Sequence, residues 1–336
     1  MFVLYKIVMI VSIFIYFGVI ALTLFLMKVV PIWYSAENRP IGWRIKTMLS
    51  IFVVSYPLIV LLGSRVDIGT DYANYEKFYD YYQSTGVTAF EPLFYGLFWI
   101  GDAFQWGFDS FIVITSILCV AIPLGFIKIR FPKDDVLVAT FTLIVLLFGS
   151  WFNIIRQCVA MGILLISMHY LIERKVLPFI LFVLLASLCH VSSLVFLPIA
   201  LIVRIINKSE TQRQLIRNLL FLGFINLTLI YVYLNFGADL AYYEHVGGEE
   251  EDGITSKWYI IFSILLYIPE FLNMKKMLDY DKRYSVLYVL VVLEFSCYLF
   301  GLYMNLGYRI GQLFSLVHVY LLPATINCAK MNGKTI

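Results

Sequence analysis

Three arginines lie at or beside apolar segments, where an uncompensated charge is energetically costly. Arg65 follows the apolar segment 48–63, while Arg156 and Arg309 stand near the beginnings of two later segments. A guanidinium group can bind phosphate oxygens through two parallel N–H bonds. Three such groups at a lipid–water boundary indicate a lipid-linked pyrophosphate as ligand. An arginine at the end of a membrane segment can also simply contact phospholipid headgroups.

His190 is the histidine best placed for proton transfer. It lies near the middle of the long apolar stretch 176–203 and is followed by Ser192 and Ser193. An unperturbed imidazole titrates near pH 6.5, so it can accept a proton close to neutrality. The alternative is a histidine that only hydrogen-bonds a neighbouring helix. His169 and His318 have no comparable setting and are interpreted as structural, while His245 lies in the acidic loop 236–256.

The segment 64–91 is rich in acidic and aromatic residues. Tyr72, Tyr75 and Tyr79 recur at helical spacing and predict a surface helix with an aromatic stripe. Such a stripe suits sugar rings, and it suits the headgroup region of a bilayer equally well. Asp71 is a candidate base or a partner for Arg65. Glu91 either caps the segment that begins at the next residue or contributes a carboxylate to the site.

These residues belong to a strongly apolar chain. It has 336 residues, of which 61% are hydrophobic and 14% charged, and its mean hydropathy is +0.86. Soluble proteins carry about 25% charged residues, so this chain is expected to be a polytopic membrane protein. We predict one all-α integral membrane domain over 1–336, a transmembrane helical bundle of about 10–12 segments, some re-entrant or broken. The predicted spans are 4–27, 48–63, 109–127, 136–153, 156–172, 176–203, 218–235, 257–273, 284–304 and 308–327, with a shorter apolar stretch at 92–106.

The distribution of positive charge predicts the orientation. All but six of the 25 basic residues can share one face, which the positive-inside rule assigns to the cytoplasm. The N-terminus is then outside, the C-terminus is cytoplasmic, and the outer face carries loop 64–91 and the acidic loop 236–256. The six exceptions on the outer face are Lys6, Arg65, Lys77, Arg156, Lys257 and Arg309.

Two segments must not cross the membrane completely if this orientation holds. A full crossing by 92–106 would move every later basic loop outside, so we predict a re-entrant or surface-lying segment. A single crossing by 176–203 would place Arg204 outside, so we predict a break near His190. Irregular backbone at that depth is tolerated where it lines a protein-walled cavity, and broken helices often mark substrate sites.

Other classes of site are not supported by the sequence. The five cysteines form no CxxC pair, which argues against a zinc site or a disulfide framework. There is no glycine-rich phosphate loop, and the small net charge of +3 gives no reason to expect nucleic acid as a partner. We therefore predict a lipid bilayer as surroundings, with no metal and no cofactor.

An ordered series of short motifs resembles the EpsG family of Wzy-type polysaccharide polymerases. Each motif alone is weak, but the series covers most of the chain. One departure is Gln157-Cys158, where a smaller residue is expected after the arginine. The motifs are Arg65 with Gly69-Thr70-Asp71-Tyr72 and Asn74-Tyr75, then Phe90-Glu91-Pro92, Ile155-Arg156-Gln157, Leu188-Cys189-His190-Val191-Ser192-Ser193, and Tyr308-Arg309-Ile310.

The resemblance implies a GT-C-like, metal-independent membrane glycosyltransferase of the bacterial cytoplasmic membrane. Such an enzyme joins polyprenyl-pyrophosphate-linked oligosaccharide units at the outer face, with a chain-length regulator and a flippase as candidate partner proteins. Arg156 and Arg309 would stabilise the departing pyrophosphate, with Arg65 assisting. His190 would be the base or would orient the acceptor, with Asp71 and Glu91 in reserve. Tyr72 and Tyr75 would contact sugar.

Four alternatives remain open at this point. A lipid-linked oligosaccharide flippase or other transporter should carry charges along a path through the membrane and some repeat symmetry. A membrane O-acyltransferase should use a cytoplasmic donor or a serine–histidine route. A polysaccharide ligase has nearly the same chemistry as a polymerase, and a purely structural subunit leaves the outer arginines unexplained.

Overall fold

The computed structural model describes residues 2–31, 42–201, 214, 216–224, 228, 252–302 and 305–331. Within these ranges the secondary structure is helical, with no strand. The prediction of an all-α polytopic membrane protein is confirmed. The chain divides into two compact units. Unit 1 contains Met1–Ile166 and Leu184–Val191, and unit 2 contains Ser167–Val183 and Ser192–Ile336.

The first eight helices run from the N-terminus to the stretch before His190. They are α1 (Phe2–Val29), α2 (Trp43–Gly63), α3 (Tyr72–Thr85), α4 (Pro92–Ala103), α5 (Phe108–Arg130), α6 (Lys133–Asn153), α7 (Ile155–Ile172) and α8 (Val176–Ser187). A 3-10 helix follows at Val191–Phe196. In the later part of the chain lie α9 (Asp252–Leu272), α10 (Met274–Tyr280), a 3-10 turn (Lys282–Tyr284), α11 (Ser285–Phe300), α12 (Asn305–Ser315) and α13 (His318–Met331).

Six helical segments among the described residues are long and apolar enough to cross a membrane. A seventh span is formed if Gly307–Ser315 and His318–Lys330, which meet at a bend of 43°, cross together. The six are Val11–Val29, Trp43–Gly63, Phe108–Arg130, Lys133–Asn153, Ile155–Ile172 and Lys282–Phe300. The predicted span 218–235 and the acidic loop 236–256 fall largely outside the described residues.

Small residues allow the helices of unit 1 to pack closely. A Cβ atom on Gly125 of α5 would lie 3.0 Å from the Ile51 side chain of α2, and one on Gly63 would lie 3.4 Å from Val113. Membrane helices associate largely through such close packing, because lipid tails leave little hydrophobic gain from burial. The paired helices α2 and α5 thus form a framework for the loop that follows Gly63.

The predicted break in 176–203 is confirmed, while the re-entrant or surface-lying placement of 92–106 stays a prediction. Helix α4 contains 12 residues, and at 1.5 Å per residue it reaches about 18 Å, short of the roughly 30 Å apolar core of a bilayer. The stretch 176–203 is broken: α8 ends at Ser187, and a 3-10 helix begins at Val191. His190 lies in this break, where its amide still donates to Ala186 O at 3.0 Å.

Candidate functional site

Glu91 is held in place by the proline that follows it. Pro92 occupies the first turn of α4 and keeps Glu91 extended, with φ −61° and ψ 158°. Its side chain makes no capping bond to α4, so the capping role considered above is not observed. A backbone bond from Leu93 N to Leu188 O at 3.0 Å fixes the start of α4 against the chain just before His190. The carboxylate is therefore directed toward the break rather than along its own helix.

The Glu91 carboxylate joins the two groups that the sequence singled out. Its Oε2 accepts a hydrogen bond from Arg156 Nη1 at 2.6 Å, and its Oε1 lies 2.9 Å from His190 Nδ1. The amide of Val191 also donates to Oε1 at 3.3 Å. The side chains of Arg156, Glu91 and His190 are 27%, 13% and 17% exposed. The cluster is thus sheltered but open to a ligand.

Two aromatic residues of unit 1 fix the position of Arg156. The guanidinium carbon lies 4.3 Å from the centre of the Phe90 ring, a cation–π contact. The Arg156 amide donates to the Tyr75 hydroxyl at 3.5 Å. Arg156 Nε makes no hydrogen bond to any described residue. Glu91 contacts the guanidinium at Nη1, and the Arg156 side chain as a whole stays 27% exposed.

The ionisation states follow from these contacts. Burial disfavours the Glu91 carboxylate, but the hydrogen bonds from His190 and Arg156 outweigh burial and lower its pKa from 4.5 to about 2. The stabilisation from this carboxylate is complete at neutral pH and is lost only as the pH falls toward 2. Burial raises the pKa of Tyr75 to about 12, although Arg156 opposes the shift. At neutral pH Glu91 is thus a carboxylate and Tyr75 a neutral phenol.

The arrangement determines which histidine nitrogen can act as a base. Since the ionised Glu91 accepts a hydrogen bond from Nδ1–H, a neutral His190 carries its lone pair on Nε2. Glu91 itself is a poor base because its carboxylate is already engaged by two donors. The geometry provides one basic nitrogen beside one guanidinium group, joined by a carboxylate that orients both.

Arg65 is placed differently from Arg156. It is only 3% exposed, and its Nη1 donates to Trp151 O at 2.6 Å, one of the last carbonyls of α6. Its Nε and Nη2 make no hydrogen bond within the described ranges, so the expected pair with Asp71 is not formed. Burial lowers the pKa of this guanidinium. Arg65 satisfies the carboxyl end of α6, where a cation is favoured by the helix dipole.

The loop after Arg65 is pressed against the same end of α6. Gly69 has φ +103°, and a Cβ atom there would lie 2.1 Å from Phe152 O. The next residue, Thr70, donates its amide to Asn153 Oδ1 at 2.7 Å. Only glycine fits this close backbone approach. The loop and the α6–α7 junction, one turn before Arg156, therefore hold each other in position.

Replacing Gly69 by Ala should destabilise the protein and lower its activity by displacing this loop. Gly86 is the matched control, because it also has positive φ (+71°) but has open space around its Cα. Gly86→Ala should cost only the backbone term, roughly 1–2 kcal/mol, while Gly69→Ala adds the collision with Phe152. Thermal unfolding of the purified variants measures the difference, and equal losses would contradict this role of the loop.

The aromatic stripe of α3 faces inward. Tyr72, Tyr75, Tyr79 and Tyr82 are each 4–5% exposed. Tyr72 meets the Phe108 ring edge to face at 5.3 Å, and Tyr75 packs between Phe90 and Phe111. An amphipathic helix buries its aromatic side when the rest of the fold supplies an apolar surface. The helix was predicted correctly, but Tyr72 and Tyr75 do not present faces for stacking on sugar.

Two further candidates are Asp71 and Arg309. Asp71 precedes α3 and makes no hydrogen bond to Glu91, Arg156 or His190. Arg309 is exposed on α12 of unit 2, so its relation to the cluster in unit 1 stays a prediction. The hydroxyls of Ser192 and Ser193 find no hydrogen-bond partner in the described part of the chain. Among the described residues, no group of three or more His, Cys, Asp or Glu side chains has an arrangement that could hold a metal ion.

The positioning role of Phe90 could not be predicted from the sequence. It was noted only as part of a motif, since a cation–π contact depends on a residue distant in the chain. Tyr75 was assigned to sugar binding on its spacing, whereas its hydroxyl contacts the start of α7. The cation–π contact of Phe90 and the hydrogen bond to Tyr75 both depend on the position of Arg156 in the folded protein.

Comparison with known proteins identifies one family. The EpsG family model matches residues 48–336, which contain the cluster and the loop after Arg65. No curated protein and no solved structure matches the chain.

Proposed function

Because the chain belongs to the EpsG family, a family of Wzy-type polysaccharide polymerases, we propose that it joins oligosaccharide units carried on polyprenyl pyrophosphate into a surface polysaccharide. The reaction is a glycosyl transfer between two lipid-linked units. The observation that supports it most is the Glu91 carboxylate, which holds a histidine at 2.9 Å and an arginine at 2.6 Å in one partly exposed cluster.

The cluster supplies the two groups that the transfer needs. His190 Nε2 takes the proton from the acceptor hydroxyl as the new bond forms between its oxygen and the anomeric carbon. The bond from the anomeric carbon to the pyrophosphate oxygen breaks, and the leaving group keeps its electron pair. Arg156 receives the developing negative charge on that oxygen. Such stabilisation accelerates the reaction because it is stronger in the transition state than in the substrate.

The other arginines have secondary roles in this proposal. Arg309 is assigned to the pyrophosphate of one substrate, as its exposed position on α12 allows. Arg65 is assigned to support the α6–α7 junction from which Arg156 projects, because its Nη1 is committed to Trp151 O. Asp71 is a reserve base at the start of α3. No step of the transfer requires a metal, since guanidinium groups carry the compensating charge.

The reaction is assigned to the outer face of the bacterial cytoplasmic membrane, following the distribution of basic residues in the loops. A flippase would deliver the lipid-linked units to this face, and a chain-length regulator would act on the same product. The N-terminus would be outside and the C-terminus in the cytoplasm.

Reconstitution tests this proposal directly. The purified chain in lipid nanodiscs is supplied with lipid-linked single units taken from source cells in which its gene is deleted. The expected product is a ladder of longer lipid-linked chains, with release of free polyprenyl pyrophosphate in equal number to the bonds formed. Empty nanodiscs and nanodiscs treated with EDTA are the controls, and EDTA should leave the ladder unchanged.

Each alternative predicts another outcome. A ligase would leave single units unextended but transfer them to an added acceptor that carries no lipid pyrophosphate. A flippase would change the accessibility of the units in sealed vesicles without changing their size. Failure to extend the units under conditions in which the protein is folded and monodisperse would contradict the polymerase assignment.

A further inference from the structure

A second cluster of ionisable groups lies in unit 2 and has no part in the proposed transfer. His318, the first residue of α13, bridges two glutamates: Nδ1 is 2.7 Å from Glu270 Oε1 of α9, and Nε2 is 2.8 Å from Glu294 Oε2 of α11. All three side chains are fully buried. His318 stands at the 43° bend between α12 and α13. Ionisable groups inside membrane segments are rare and usually functional.

The two short contacts of His318 set a minimum number of protons for the cluster. Each short contact between an imidazole nitrogen and a carboxyl oxygen needs one proton between them, because two lone pairs would repel. An imidazolium with two carboxylates satisfies both contacts, and so does a neutral imidazole with one carboxylic acid. Either arrangement leaves a net charge of −1 in a fully buried place. A third proton makes the cluster neutral.

No described residue compensates that charge. The salt bridges of Glu270 and Glu294 within the described ranges are those to His318, and neither involves lysine or arginine. Across the packed helices, the other titratable groups that interact with the cluster are Tyr267 on α9 and Tyr288 and Cys297 on α11. Phenols and thiols are ordinarily uncharged near neutral pH. An uncompensated charge in this position would be strongly disfavoured, and proton uptake removes it.

The two carboxyl oxygens that do not contact His318 indicate which glutamate carries the third proton. Glu294 Oε1 accepts a hydrogen bond from Ser263 at 3.2 Å. Glu270 Oε2 has no hydrogen-bond partner among the described residues. A carboxylate oxygen left without a donor costs more than a neutral carboxyl group in the same place. The ionised partner of His318 is therefore Glu294, and the neutral one is Glu270.

We propose that Glu270, His318 and Glu294 form a proton-binding site at the bend between α12 and α13, with Glu270 as the group that takes up and releases the third proton. In the protonated state the site joins α9, α11 and α13 with no net charge. Release of the proton from Glu270 leaves one negative charge among the three helices.

The third proton sets the direction in which pH changes the stability of the protein. When the chain unfolds near pH 7–8, a free glutamate is ionised and a free histidine is largely neutral. The folded cluster then holds about two more protons than the same groups in the unfolded chain, so stability falls as the pH rises. Glu270→Gln mimics the neutral acid and removes one of these protons. Its stability should fall with pH about half as steeply as that of the wild type.

Thermal unfolding of the full chain in nanodiscs over this pH range provides the test, together with the infrared band of protonated carboxyl groups. The wild type should show such a band at neutral pH, and Glu270→Gln should lack it. Glu173→Gln is the matched control, because Glu173 contacts both His169 and Lys175 and is expected to be ionised. This control should keep the infrared band of the protonated carboxyl group, and its stability should fall with pH as steeply as that of the wild type.

A second variant tests the proposal if Glu270→Gln does not fold. Glu294→Gln leaves Glu270 as the only carboxyl group of the cluster that can balance a charged His318, and its second oxygen has no donor among the described residues, so this variant should unfold at a lower temperature than Glu270→Gln. A wild-type protein without the carboxyl band would contradict the proposal. So would Glu270→Gln with an unchanged band and slope, or a Glu294→Gln variant at least as stable as Glu270→Gln.

Discussion

Replacing Glu91 by Gln is expected to slow polymer formation by about 100-fold or more, the usual contribution of a positioned acid–base group. A glutamine amide has one acceptor and one donor end. If its oxygen faces Arg156, its NH₂ group faces His190 Nδ1 and favours the tautomer with the lone pair on the wrong nitrogen. If its oxygen faces His190, its NH₂ group meets the Arg156 donor. The rate of chain extension by the purified variant in nanodiscs measures the loss.

Glu173→Gln is a closely matched control for this substitution. Glu173 also contacts a histidine, His169 at 3.2 Å, and a cation, Lys175 at 2.6 Å, but it belongs to unit 2 and is not a member of the cluster. It should extend chains at the wild-type rate. The double variant Glu91→Gln/His190→Gln should lose little more activity than Glu91→Gln alone, because groups that act together have non-additive effects. Additive losses would show that Glu91 does not act through His190.

Much of the membrane architecture could be predicted because hydropathy and charge act locally. Runs of about 20 apolar residues must form helices in a bilayer, since backbone groups find no other partner there. The break at His190 also followed from local facts, namely the length of 176–203 and the basic residues that follow it. The break itself is present, with α8 ending at Ser187. Periodicity could predict α3, but it does not say which neighbours cover an aromatic face.

The cluster could be predicted only in part. Arg156, Glu91 and His190 were each singled out, but nothing in their spacing showed that one carboxylate joins groups 65 and 99 residues away along the chain. The partner of Glu294 was equally beyond prediction from spacing. An acidic residue in an apolar segment needs a partner, but the sequence does not show which residue it is. The partner is His318, interpreted from sequence as merely structural. Pairing across helices depends on helix rotation and tilt, which composition does not determine.

Replacing Arg156 by Lys should lower the turnover of chain extension by about 100-fold or more, in the range seen when one donor to a developing anion is removed. Lysine keeps the charge but presents it at a single nitrogen. Its three N–H groups radiate from one atom, so they cannot reproduce the separated guanidinium nitrogens that hold Glu91 at 2.6 Å and would contact the leaving pyrophosphate. The stacking of the guanidinium plane on Phe90, now at 4.3 Å, is lost as well. Steady-state kinetics with purified lipid-linked units should show a fall in kcat.

Arg283→Lys separates this effect from a general intolerance of the chain to the substitution. Arg283 also pairs with a carboxylate, Asp281 at 2.7 Å, but its side chain is 53% exposed and forms no part of the cluster. Its kinetics should match the wild type. Phe90→Leu removes only the ring beneath the guanidinium and should give an intermediate loss, of about 1 kcal/mol in transition-state stabilisation. If Arg156→Lys instead raised KM and left kcat unchanged, Arg156 would bind the substrate without stabilising the leaving group.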